Sequence, residues 1–230
     1  MNPLHDLIRR LPVSVEFLVV ISWAFGLPIC VSILSVGSAE LASAHKTYHN
    51  AGFVSVLMWE LVQSLFLVWF LRIRGWTLEK LGLQVTLRGT LYGLVLLALT
   101  FGVVYGAQLL AALLLPIDME LALDSYPRPA ADLDMNLVFL VSVVNGIFEE
   151  VFVAGYIIAA LTPVRGTWMA INVSTGIRLL CHLYQGPVGI VSIVPLGILY
   201  GYAYSRTRML WPLILAHIVI DLIGLTVSGS

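Results

Sequence analysis

This chain consists mainly of long apolar runs separated by short polar stretches. A membrane-spanning helix needs about 20 apolar residues, and backbone polar groups inside a bilayer must be paired, as they are within a helix. On this basis we predict seven spans, at residues 13–36, 51–71, 90–115, 137–160, 167–184, 187–204 and 209–227. The predicted fold is an all-α, polytopic transmembrane helix bundle of about seven spans, forming a single integral-membrane domain over residues 1–230.

The composition argues against an ordinary soluble domain. Hydrophobic residues make up 60% of the 230 residues and charged residues only 11%, against roughly 25% charged residues in soluble domains. Folded in water, such a chain would expose a large apolar surface. The sequence also has no glycine-rich nucleotide loop and no basic patch typical of nucleic-acid binding. We therefore expect a lipid bilayer around the protein and no nucleic-acid partner.

The basic residues lie mostly on one side of the predicted bundle. With seven spans, the side of the N-terminus carries nine of them: Arg9, Arg10, Arg72, Arg74, Lys80, Arg88, Arg165, Arg206 and Arg208. The opposite side carries only Lys46 and Arg128. Because basic residues collect in cytoplasmic loops, we predict a cytoplasmic N-terminus, an external C-terminus and a multi-pass protein of a cell membrane.

Ionisable residues inside the predicted spans are candidates for function, because a charge in a bilayer is costly. We single out seven of them: Glu60, Glu149, Glu150, Arg178, His182, His217 and Asp221. Arg178 and His182 are four residues apart and share one helix face, and the same holds for His217 and Asp221. These spacings place each pair on one helix face, and they are compatible with a shared, partly hydrated cavity between the spans.

The adjacent carboxylates of Glu149 and Glu150 are about 100° apart around an α-helix. We therefore expect one of them to face a reaction site and the other to need a different partner. Glu60 lies apart from this group in the sequence, and we interpret it as a satisfied polar contact between helices. Gly197 and Gly201, four residues apart, are interpreted as positions that allow close helix packing.

Several kinds of chemistry fit these polar residues. A glutamate beside a histidine can activate water as a general base, while a second histidine can hold an oxyanion. Histidine and glutamate together also form a hydrolytic zinc set, although the usual H-E-x-x-H arrangement is missing. Buried carboxylates and imidazoles also occur in proton-coupled transporters, and a charge network that pins helices together is a further alternative.

Three short motifs in order resemble the CPBP family of intramembrane endopeptidases, which includes CAAX proteases and bacteriocin-processing (Abi) proteins. The family pattern is E-E-x-x-x-R, then F-x-x-x-H or a variant, then H-x-x-x-N or H-x-x-x-D. This chain has "EEVFVAGY", "RLLCHLYQG" and "HIVID", within a predicted catalytic core at about residues 137–227. The resemblance implies an endopeptidase in a bacterial inner or plasma membrane. Its expected substrate is a membrane-associated or exported peptide, either prenylated and CAAX-type or a leader or signal peptide.

The resemblance also implies catalytic roles for five residues. Glu149 and His182 would activate the attacking water, and Glu150 would be a supporting carboxylate. His217 and Asp221 would stabilise the oxyanion or position the scissile carbonyl. Because an ionised aspartate cannot donate a hydrogen bond, Asp221 would instead orient His217. We expect a glutamate-type mechanism without a cofactor, and zinc is the alternative.

Two departures from the family pattern bear on function. Ala154 stands where the first motif has arginine, and Arg178 stands where the second often has phenylalanine. We predict that the departures are linked and that Arg178 pairs with Glu150 in a supporting role, relieving a buried unpaired charge. The missing arginine also leaves an alternative function open, that of a non-catalytic CPBP-like membrane scaffold or bacteriocin-immunity protein. The oligomeric state is not predicted.

Overall fold

The computed structural model describes residues 3–38, 47–115 and 127–227, which form helices joined by short connections. The α-helices are α1 (Pro3–Arg9), α2 (Val13–Gly37), α3 (Asn50–Ile73), α4 (Leu87–Leu114), α5 (Met135–Glu149), α6 (Ile157–Arg165), α7 (Thr167–Cys181), α8 (Gly186–Thr207) and α9 (Trp211–Val227). A π-helix, Glu150–Tyr156, joins α5 to α6, and a 3-10 turn, Leu183–Gln185, precedes α8.

Five helical segments are long and apolar enough to cross a membrane: Val13–Gly37, Asn50–Ile73, Leu87–Leu114, Met135–Arg165 and Leu183–Thr207. The all-α membrane bundle is therefore confirmed. Helix α7 has only 15 residues, and the apolar helix α9 has 17, so the count of seven spans stays a prediction. The cytoplasmic position of the N-terminus also stays a prediction, and Lys46 lies outside the described residues.

A small polar assembly ties the connection before α3 to the connection before α5. Strands β1 (Thr47–Tyr48) and β2 (Arg128–Pro129) pair in parallel, an addition to the predicted all-α fold. Asn50, at the start of α3, bonds the Asp132 carbonyl at 3.0 Å and the Asp134 backbone N–H at 2.9 Å. The Asp134 side chain then caps α5, so the beginnings of α3 and α5 are held together.

The continuous helix Met135–Arg165 lies at the centre of the bundle. In its most apolar window 56% of the residues are buried, whereas the other four candidate spans reach at most 28%. The outer helices turn large apolar side chains outward, among them Leu65 at 75% and Leu109 at 63% exposure. Such a surface suits contact with lipid, and the central helix is shielded by its neighbours.

Glycines let the helices approach closely, as the sequence predicts. A Cβ on Gly197 would lie 2.9 Å from Cγ2 of Thr175, and one on Gly201 would lie 3.0 Å from Cγ2 of Ile171. These two glycines therefore bring α8 against α7, and the prediction of close packing is confirmed. Gly146 plays the same part between α5 and α9, since its Cβ would lie 2.9 Å from Cγ1 of Ile218.

Candidate active site

The adjacent residues Glu149 and Glu150 lie where the central helix changes from α-helical to π-helical winding. Helix α5 ends at Glu149, and the π-helix begins at Glu150, with all seven of its residues buried. Ser174 on α7 donates to the Val153 carbonyl at 2.7 Å. A π-turn has an i→i+5 hydrogen-bond pattern and is common at functional sites. Because it has more residues per turn than an α-helix, it brings successive side chains closer together in angle.

Arg178 bridges both carboxylates. Its Nη1 donates to Oε2 of Glu149 at 2.9 Å, and its Nη2 donates to Oε1 of Glu150 at 2.8 Å. The predicted contact between Arg178 and Glu150 is therefore present. The expectation of separate partners for the two glutamates is wrong, because the arginine fork is wide enough to bond both.

Burial makes this three-residue bridge energetically significant. The side chains of Arg178 and Glu150 are 3% and 0% exposed, and that of Glu149 is 13% exposed. The guanidinium also lies over the ring of Tyr200, with 5.8 Å to the centroid. Ala154, at the family's arginine position, is buried among apolar residues. Loss of the only cation that bonds both carboxylates in the described part of the chain would leave buried charges unpaired.

His217 is oriented by the second glutamate. Its Nδ1 lies 2.6 Å from Oε1 of Glu150. Since that oxygen also accepts from Arg178, it is a carboxylate oxygen and Nδ1 of His217 is the donor. The other ring nitrogen, Nε2, then faces Asp221, whose Oδ2 lies 3.6 Å away. Glu150 thus fixes which edge of the imidazole points toward Asp221.

His182 is oriented by the backbone of α7, the helix that it directly follows. Its Nδ1 lies 2.8 Å from the Arg178 carbonyl. A carbonyl oxygen only accepts, so Nδ1 carries the proton and Nε2 of the neutral ring is an acceptor. This Nε2 lies 3.8 Å from Oε1 of Glu149. That gap is too long for a direct hydrogen bond, and a water bonded to both atoms is a common way to bridge such a gap.

Asn145, which the sequence reading did not single out, also belongs to the site. Its Nδ2 donates to Oδ2 of Asp221 at 3.3 Å. It lies one helical turn before Glu149, on the same face of α5. A polar residue four positions before the paired glutamates was the available sequence signal.

Glu60 is closer to the site than the sequence reading suggested. It is 4% exposed, and it lies within electrostatic range of Glu149, His217 and Asp221. The rings of the neighbouring Trp59 and Phe148 pack edge to face at 5.7 Å, which brings α3 beside this part of α5. Within the described residues its Oε2 has no hydrogen-bond partner, so the interpretation as a satisfied contact between helices is wrong.

A further buried carboxylate, Glu16 on α2, was overlooked in the sequence although it lies inside the first predicted span. It is 4% exposed and pairs with Arg74. It also accepts from the indole of Trp76 at 2.7 Å and from the hydroxyl of Tyr156 at 3.0 Å. Because Tyr156 ends the π-helix, this cluster fixes the far end of the segment that begins at Glu150.

A metal ion has one set of candidate ligands among the described residues. One ligand atom each from Glu149, Glu150 and His217 lies within 4.8 Å of the others. These are ligand types that zinc accepts. Both carboxylates, however, already bond Arg178, whose charge would repel a dication. The residues therefore fit zinc poorly, and the expectation of a cofactor-free mechanism stays a prediction.

The protein is thus a helical membrane protein in which carboxylates, imidazoles and a shared guanidinium form a buried cluster between helices. Residues 132–223 match the family model described as Type II CAAX prenyl endopeptidase Rce1-like. The matched segment contains all three motifs, so the resemblance to the CPBP family is confirmed there, and this family is one of membrane proteases. No curated protein and no solved structure matches the chain.

Proposed function

We propose that the protein is a glutamate-type intramembrane endopeptidase that hydrolyses a peptide bond at the membrane. The observation that carries this proposal is the pair Glu149 and His182. Two acceptor atoms, Oε1 of the carboxylate and Nε2 of the imidazole, face one another at 3.8 Å. A water between them would donate both of its protons to these acceptors, with its lone pairs turned toward a substrate carbonyl.

The reaction then follows from the acceptors' positions. Glu149 takes one proton from the water, and the water oxygen bonds to the carbonyl carbon of the substrate. The carbonyl oxygen becomes an oxyanion, which His217 stabilises as an imidazolium, because the protonated ring donates to Glu150 through Nδ1 and still carries an N–H at Nε2. Glu149 returns the proton to the amide nitrogen, the C–N bond breaks, and the products are a carboxylic acid and an amine.

The supporting residues keep this arrangement in place. Arg178 lets two carboxylates coexist in a buried site by bonding each of them. Glu150 accepts from Nδ1 of His217 and so directs Nε2 toward Asp221. Asp221 thereby acts on the orientation of the imidazole, in a manner similar to the aspartate of a hydrolase triad.

We propose a membrane-associated peptide as the substrate. The apolar surroundings of the site suit a peptide that arrives from the bilayer, and the matching family is described as a CAAX prenyl endopeptidase. Prenylated CAAX-type peptides and leader or signal peptides are therefore the two substrate classes to test. A multi-pass position in a bacterial plasma membrane is the accompanying expectation.

The test uses the purified full chain in lipid vesicles with two peptide sets, one prenylated and one of leader or signal type. Wild type, Glu149→Gln and His182→Ala are compared, with Glu79→Gln as the same chemical change at an exposed loop position. We expect cleavage by wild type and Glu79→Gln only. Cleavage that survives both site substitutions would overturn the mechanism, and no cleavage of any peptide would favour a non-catalytic scaffold. Loss of cleavage with a chelator would favour zinc.

A further inference from the structure

Side-chain nitrogens from two different helices lie near a single oxygen of Asp221. Nδ2 of Asn145 on α5 lies 3.3 Å from Oδ2 of Asp221. Nε2 of His217 on α9 lies 3.6 Å from the same oxygen. With His217 as the imidazolium of the proposed mechanism, both nitrogens are donors, and two donors from separate helices form the arrangement that stabilises an oxyanion.

Asp221 itself is poorly suited to that stabilising role. An ionised carboxylate has four acceptor sites and no donor, and its charge would oppose a second negative charge nearby. The proposed reaction nevertheless develops negative charge on the substrate oxygen. A neutral donor beside His217 is therefore needed, and Asp221 does not provide it.

The amide of Asn145 has the required chemistry and position. An asparagine side chain carries two N–H donors, and the only hydrogen bond of this amide among the described residues uses one of them. Asn145 lies four residues before Glu149, so the amide and the catalytic carboxylate lie on one face of α5, about 6 Å apart along its axis.

The packing of α5 against α9 brings this amide close to the imidazole. A Cβ on Gly146 would lie 3.7 Å from the Cβ of His217, so the backbones of the two helices are close beside Asn145. The side chain of Asn145 is half-buried. The amide and the imidazole therefore lie beside the same oxygen of Asp221.

We propose that Asn145 is a catalytic residue that, together with His217, donates a hydrogen bond to the oxyanion. Asp221 is its positioning residue: it accepts one N–H of the amide, which leaves the second N–H directed toward the substrate oxygen. No covalent bond forms or breaks at Asn145. This inference rests on the proposed endopeptidase function and adds a donor to it.

The first test measures kcat and KM of the full chain in vesicles for Asn145→Ala and for Asn145→Leu, which keeps the size but has no N–H. We expect kcat to fall about 10²–10³-fold with little change in KM. Asn136→Ala, at an exposed position in the first turn of the same helix, should behave as wild type. Wild-type kcat in both Asn145 variants would overturn the inference while the endopeptidase function stands.

A second test separates a catalytic role from a structural one. A peptide phosphonamidate, whose tetrahedral group imitates the oxyanion, should bind Asn145→Leu more weakly by the same factor as kcat falls, while a product peptide should bind equally well. Equal loss for both ligands would overturn the inference. If wild type cleaves no peptide, the proposed function fails and this inference fails with it.

Exchange of the side chains at positions 145 and 221 supplies a control against misfolding. Asn145→Asp alone places two carboxylates together and should abolish cleavage. Asn145→Asp combined with Asp221→Asn rebuilds an amide–carboxylate pair with the amide four residues from His217. We expect the double variant to cleave at least tenfold faster than Asn145→Asp. A double variant no better than the single one would contradict the proposed role of the amide.

Discussion

Arg178 donates to Oε1 of Glu150 at 2.8 Å although the two residues are 28 positions apart in the chain. The second nitrogen of the same guanidinium bonds Glu149. Helix α7 therefore supplies the cation for two carboxylates of the central helix, while position 154 of that helix is occupied by a buried alanine. Glu150 also accepts from His217, so the arginine bridge extends to α9.

Removal of this cation should destabilise the protein. We expect Arg178→Ala to lower the free energy of unfolding by about 3–5 kcal/mol, because two buried carboxylates lose their partner. The measurement is thermal unfolding in detergent, with Arg165→Ala at an exposed position as the control. The double variant Arg178→Ala/Ala154→Arg should recover part of the lost free energy of unfolding. A stable and fully active Arg178→Ala would show that the arginine does not compensate for position 154.

Glu149 should matter for rate rather than for folding. Glu149→Gln keeps an oxygen that accepts from Arg178, and the bond from Arg178 to Glu150 remains, so the melting temperature should stay near that of wild type. Removal of a general base should lower kcat about 10²–10⁴-fold. Cleavage kinetics and thermal unfolding of the same preparation check both statements, and a variant that cleaves at the wild-type rate would rule out Glu149 as the base.

Glu60 and Glu16 should respond in opposite ways to the same substitution. The Oε2 of Glu60 has no hydrogen-bond partner among the described residues, so Glu60→Gln should leave stability equal to or above that of wild type. Glu16 pairs with Arg74 and accepts from two aromatic donors. We expect Glu16→Gln to lower the free energy of unfolding by about 1–3 kcal/mol. Chemical denaturation of both variants tests this contrast, which would be refuted by equal destabilisation.

Close contact between α5 and α9 should be needed for activity. A methyl group on Gly146 would lie 2.9 Å from Cγ1 of Ile218, so Gly146→Ala should shift α9 and with it His217. A displacement of about 1 Å in a catalytic group can lower the rate about 10²-fold. Gly102→Ala is the matched control, because nothing lies within 4 Å of its added Cβ. Similar kcat values for the two variants would show that this contact does not position the histidine.

Much of the secondary structure and part of the site could be predicted from local sequence patterns. Apolar runs indicated helices such as α4 and α8, because hydrophobic length and helix formation are both local properties. The four-residue spacing of His217 and Asp221 likewise placed both on one helix face, and their groups do lie close together. The shortness of α7 was less evident, since the chain leaves the helix at His182 before its apolar run ends.

Other residues of the site could not be predicted, because their membership depends on contacts between helices that no local sequence pattern contains. Asn145 and Glu60 are isolated polar residues in apolar helices, and their proximity to Asp221 follows from how α3, α5 and α9 pack. The π-helix that begins at Glu150 was likewise not evident from the sequence. The expectation of separate partners for Glu149 and Glu150 was wrong because one guanidinium, that of Arg178, reaches both carboxylates.

The sequence by itself determined that this protein is a bundle of apolar helices with its ionisable groups on a few helix faces, because helix periodicity and hydrophobicity act over neighbouring residues. Only the tertiary structure decided which groups meet. The joint bond of Arg178 to both glutamates, the contact of Glu150 with His217 and the contact of Asn145 with Asp221 each require two helices in a fixed register. That register is set by side-chain packing and by glycines between helices, which are properties of the assembled bundle.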